Sequence, residues 1–112
     1  MEPGYCDLHM TQGDSFEIPL RAKETVAAEV GIDLTGLVFR SQMRTEPSGE
    51  LLIEFTVDHS RLDEGYIVLS ATAEQTASVT RPGVYDVEYE DADGHTRTIL
   101  RGNISLTLGV TQ

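Results

Sequence analysis

The chain has no tryptophan and a single cysteine, Cys6. One thiol closes no internal disulfide, so the sequence is not a secreted disulfide scaffold, and a reducing compartment is expected. Positive charge is scarce. Eight Lys plus Arg stand against 19 Asp plus Glu, a formal charge of -11, and a field of that sign repels phosphate backbones and anionic headgroups. Direct nucleic-acid binding is therefore not expected. Long apolar runs are missing as well: the longest aliphatic stretches are the triplets Leu51-Leu52-Ile53 and Ile67-Val68-Leu69, whereas a spanning helix needs about 20 apolar residues. No membrane association is expected. The segment from Met1 to Asp7 has no basic region leading into an apolar one, so no signal peptide is expected and synthesis is placed in the cytoplasm. A chain of 112 residues is the size of one domain, with a core large enough to fold without metals or disulfides. Residues 1–112 are read as that domain, with 1–11 as an N-terminal arm or an edge strand.

Alternation is what the sequence does have. Apolar residues at every second position line one face of an extended strand. Phe16, Ile18 and Leu20 give a first strand, marked as an edge or a bulge by Pro19, which lacks an N–H. Leu37, Phe39 and Met43 give a second, and Leu51, Ile53, Phe55 and Val57 a third, whose one irregularity is Leu52. Glu46-Pro47-Ser48-Gly49 between them reads as a hairpin turn. Ile67 to Ala71 forms a fourth strand, after which Thr72 and Gln75 have the spacing of a capping box and Ala73 to Ala77 the composition of a short helix. Tyr85, Val87 and Tyr89 make a fifth strand, turned at Asp93-Gly94 into a sixth, Thr96 to Arg101. Gly102-Asn103 reads as a break or bulge before a terminal strand carrying Ile104, Leu106 and Leu108. Lys23 to Leu34 fits either a loop or a turn of helix. About seven strands with one short helical crossover define an all-β chain. An immunoglobulin-like antiparallel β-sandwich is the expected architecture, with a small β-barrel as the alternative.

Residues able to carry chemistry are present but do not converge in sequence. His9, His59 and His95 lie far apart, without a second ligand at zinc-site spacing, and read as solvated polar side chains. Asp91-Ala92-Asp93-Gly94 opens like a calcium loop, but Gly102 stands where the bidentate Glu belongs, so a hairpin tip is the better reading. There is no G-x-S-x-G elbow, no phosphate-binding glycine pattern, and no base beside Cys6. No catalytic, cofactor-binding or metal residues are assigned, and no enzyme is expected. Tyr66, Tyr85 and Tyr89 are the aromatics available to a sugar platform, with Tyr85 and Tyr89 falling on the inward face beside Val87.

The ordered motifs resemble a family of small tailed-bacteriophage virion proteins and are similar to the N-terminal β-sandwich domains of upper baseplate and tail-fibre proteins. The likeness runs nearly end to end. It rests on Tyr5-Cys6-Asp7-Leu8, Gln12-Gly13-Asp14-Ser15-Phe16, Asp33-Leu34-Thr35-Gly36 and Val38 to Arg44. It continues through Ile67-Val68-Leu69-Ser70, Ala73-Glu74-Gln75-Thr76, Pro82 to Val87, Asp93-Gly94, Arg101-Gly102-Asn103-Ile104 and Gly109-Val110-Thr111. Relatives often carry a turn such as Asp-Gly between the first two strands, where this chain has the alanine-rich stretch from Lys23 to Ile32. They also often continue into a shaft, whereas this sequence stops at Gln112.

The resemblance implies a virion location and a non-enzymatic structural role in the tail, baseplate or fibre adaptor, through contacts with other virion proteins as a homo-oligomer or in many copies on a scaffold. Capsid decoration and carbohydrate-based host recognition are the alternatives. Tyr5, Cys6, Asp7, Leu8, His9 and Met10 form the candidate assembly arm, unless they complete the chain's own sheet.

Overall fold

The computed structural model describes residues 4–22 and 31–109. Eight strands lie among them: β1 (Gly4–Tyr5), β2 (Leu8–Thr11), β3 (Phe16–Arg21), β4 (Val38–Arg44), β5 (Leu51–Asp58), β6 (Tyr66–Ala71), β7 (Gly83–Glu90) and β8 (Thr96–Thr107). A single helix, α1 (Ala73–Ala77), and a 3-10 turn at Leu62–Glu64 complete the regular structure. The all-β expectation holds. The loop-or-helix alternatives for 23–30 fall outside the described residues.

The layering differs from two separate sheets. All the strands form one sheet in the order β1-β8-β7-β4-β5-β6-β3, with β2 also on β8, curled into a half-barrel. The reason lies in β5, which pairs with β4 over Leu51 to Phe55 and with β6 over Thr56 to Asp58. A strand that changes partner midway turns the corner between two layers. The opposite side is joined by the chain itself, since β2 at one end of the sheet leads through Gly13 directly into β3 at the other. Pro19 accordingly sits on a terminal strand, paired among the described residues only with β6, where a missing N–H is tolerated.

Inside the curl, alternate residues of β2 to β8 meet their counterparts. Met10, Phe39, Met43, Ile53, Phe55, Leu69, Val87 and Ile104 are almost fully buried, and removal of such side chains from water is the main favourable term in folding. Tyr85 is buried among them, and its hydroxyl donates to the Cys6 carbonyl at 2.6 Å. Thr76 of α1 is buried too. Its Oγ1 donates to the carbonyl of Asp14 at 2.7 Å and accepts the Gly13 N–H at 3.1 Å, tying the helix to the β2–β3 corner. The expected capping box is present: Thr72 Oγ1 accepts from Gln75 N at 3.1 Å and Gln75 Oε1 from Thr72 N at 2.8 Å.

Three local expectations are corrected. Leu51 is exposed and Leu52 half-buried, because β5 is bulged there: Met43 faces Ile53 but Arg44 faces Leu51, leaving Leu52 as the extra residue. Gly102 is neither a break nor a bulge, since β8 runs unbroken from Thr96 to Thr107 as one strand instead of two. The bulge of β8 falls at Ile99, where Val87 faces Leu100 and Glu88 faces Thr98. Gly102 serves another purpose, because a Cβ there would stand 2.0 Å from the Cys6 carbonyl oxygen. Finally, β1 and β2 pair parallel to β8, not antiparallel.

Candidate functional site

The candidate assembly segment lies on the chain's own sheet. Leu8 and Met10 enter the core, and Cys6 is half-buried, its N–H donating to the Arg101 carbonyl at 3.0 Å. Asp7 Oδ1 accepts the Asn103 N–H at 3.0 Å, and the ring nitrogens of His9 meet Ser105 Oγ at 2.7 Å and Thr107 Oγ1 at 2.8 Å. Tyr5, 76% exposed, is the aromatic side chain that this segment leaves on the surface.

Cross-strand register builds a polar face around it. Alternation turns Val38, Arg40, Gln42 and Arg44 of β4 outward, opposite Glu90, Glu88, Asp86 and Val84 of β7. Asp86 in turn faces Arg101 of β8, and Arg101 faces Tyr5 of β1. One row thus runs Gln42, Asp86, Arg101, Tyr5 across four strands. It lies in a groove of about 630 Å³ that Arg40, Arg44 and Glu88 also line, a volume typical of a ligand or side-chain binding site.

The groove is held by its own contacts. Arg40 Nε donates to Glu88 Oε1. Arg44 donates from Nη2 to Gln42 Oε1 and from Nη1 to the Gly49 carbonyl, each at 3.0 Å. The Arg101 guanidinium stands 5.9 Å from the centroid of the Tyr5 ring. Burial raises the Asp86 carboxyl above the ordinary aspartate range, Glu88 adds to the effect, and the pull of Arg101, Arg44 and Arg40 in the other direction does not cancel it. Three cations and two carboxylates give the groove a formal charge of +1, which leaves -12 on the rest of the chain. This polarity was invisible in the sequence, where the groove residues sit on separate strands and only register brings them together.

The other sequence candidates fall elsewhere. Tyr85 and Tyr89 point inward as expected, Tyr89 packing 5.9 Å from Phe39. Two guanidinium groups stand over the Tyr66 ring, Arg61 at 4.2 Å and Arg21 at 4.7 Å from its centroid. Those contacts compete with a sugar for the ring. At the β7–β8 turn, one ligand atom each of Asp91, Asp93 and His95 lies within 4.8 Å of the others, so the expectation that His95 has no second ligand close by in sequence is corrected: Asp93 and Asp91 precede it by two and four positions. Asp91 Oδ1 already accepts the N–H groups of Asp93 and His95, both at 2.9 Å. The arrangement is that of a hairpin cap, with Gly94 at φ +83° supplying the left-handed residue of a three-residue turn.

His59 is exposed, as read, yet both ring nitrogens are engaged. The Phe39 N–H donates to Nε2 at 2.9 Å and Nδ1 meets the Val57 carbonyl at 3.1 Å, a pair of contacts that assigns the proton to Nδ1. The ring thus satisfies the Phe39 amide at the corner where β5 has left β4 for β6.

A scan against protein-family models finds no match, and no curated protein is significantly similar in sequence.

Proposed function

We propose that this chain is a non-enzymatic structural component of a bacteriophage virion, a tail, baseplate or fibre-adaptor subunit that works by protein–protein assembly. The observation that carries the assembly half of the reading is the outer face. A polar groove lined by three arginines and two carboxylates lies beside a terminal strand, β1, that among the described residues has a neighbour on one side only. Such strand borders and mixed polar faces are the surfaces through which β domains join neighbours. The virion half rests on the ordered motifs from Tyr5 to Thr111. The subunit sits in the particle as a homo-oligomer or in many copies on a scaffold, and is assembled from the host cytoplasm.

Peptide mapping of purified particles tests it. Peptides of this chain co-purifying with tails are expected. Their absence from intact particles overturns the reading, and labelling on capsomers would move the protein to the capsid-decoration alternative. The host-glycan alternative now rests on Tyr5 instead of Tyr66, because Tyr5 is the exposed ring beside Arg101 and Asp86. Selective glycan binding lost in Tyr5→Ala would favour it.

A further inference from the structure

We propose that the outer-face groove receives the acidic β7–β8 hairpin of a second copy of this chain. The inference deepens the assembly reading by naming the partner. Charge complementarity points to it. The groove carries +1 on a chain whose remaining residues carry -12, so it favours an acidic occupant. The hairpin tip is such an occupant. Glu90, Asp91 and Asp93 crowd its end, and Ala92 to His95 are exposed. Two backbone bonds to Asp91 Oδ1 hold the tip in one shape before it docks, which lowers the entropy lost on docking.

Hydrogen bonds from the backbone N–H groups of His95 and Asp93 also hold the Asp91 carboxyl below the ordinary aspartate value, so it is charged throughout the neutral range. In the groove, Arg101 has no carboxylate within salt-bridge distance among the described residues, whereas Arg40 is engaged by Glu88. Arg101 is therefore the cation free to meet the incoming tip, with the Tyr5 ring beside it. Groove and hairpin are different patches of one surface, so the contact closes as a two-fold dimer where two copies exchange hairpins and propagates into a ring or a filament where they do not.

Sedimentation velocity of the full chain over a concentration series, in low and in high salt, provides the test. Self-association that weakens as salt rises is expected. Arg101→Glu and Asp93→Lys, both at exposed sites and checked for folding by circular dichroism, should each weaken association by roughly tenfold or more. Mixing the two variants should restore it, because the reversed groove of one matches the reversed hairpin of the other. A wild-type chain that stays monomeric at its solubility limit in low salt overturns the proposal, as does association that neither reversal weakens or that mixing does not restore. Either failure leaves the virion reading standing, since that is decided by particle composition.

Discussion

Single residues hold this fold by supplying a bond, by leaving room and by carrying charge. His59 supplies the acceptor that β5 no longer offers to Phe39. An amide left without a partner in a partly buried place costs about 1 to 3 kcal/mol, so His59→Ala should lower stability by that order in urea unfolding, with Phe39 the first amide to lose hydrogen-exchange protection. Gly102 works through absence. Gly102→Ala places a methyl 2.0 Å from the Cys6 carbonyl, and either β1 and β2 lift or β8 yields, at a cost of about 1 to 3 kcal/mol by analogy with overpacked cores. The sequence shows that glycine plainly but not its purpose, which depends on a carbonyl 96 positions earlier. The carboxylates act in two directions with pH. Asp33, Asp58 and Asp91 are held below the ordinary value of 3.8, first by bonds from the Thr35 hydroxyl, the Ser60 N–H and the His95 N–H respectively. A carboxyl lowered in the folded state lends stability that is complete above its unfolded value and is lost as pH falls through the folded one. Acid unfolding should therefore set in below about pH 4. Asp86 is raised, chiefly by burial, so it opposes folding when ionised and relaxes as it gains its proton. Asp86→Asn should raise the thermal midpoint at neutral pH, and should do so less as the pH is lowered.

At the scale of elements, the sequence is legible wherever local chemistry decides. Thr72 and Gln75 announce the helix start, and Thr72→Ala should cost about 1 kcal/mol, the usual worth of an N-cap, read as a shift in urea midpoint at unchanged slope. Alternation locates β3 to β7 closely, and Pro19 marks an edge correctly. Legibility ends where a partner strand decides. The bulge at Ile99 carries no glycine or proline to mark it, and Leu52 looked like one misplaced residue when it shifts the face of its neighbour Leu51. The exchange of β4 for β6 along β5, which turns an expected pair of layers into one curled sheet, is a tertiary event. Nothing between Leu51 and Asp58 spells it out. The same holds for β1 and β2, whose parallel pairing depends on both ends of the described chain meeting at β8.

For the whole molecule, the distribution of charge matters more than its total. The net charge is strongly negative and keeps copies apart, while three of the seven arginines gather on one face, where strand register sets Arg101 beside Tyr5 and Asp86. Replacing Asp86 by Asn makes that face more positive, so the variant expected to be more stable should also associate more strongly, and a light-scattering comparison with the wild type at low salt checks the second half. The most direct measurement is an amide-shift dilution series by NMR in low salt. The account requires concentration-dependent shifts at Arg40, Asp86 and Arg101 together with residues 91–95, fading as salt is added. Shifts confined to the β3 border, or none at any attainable concentration, would contradict it.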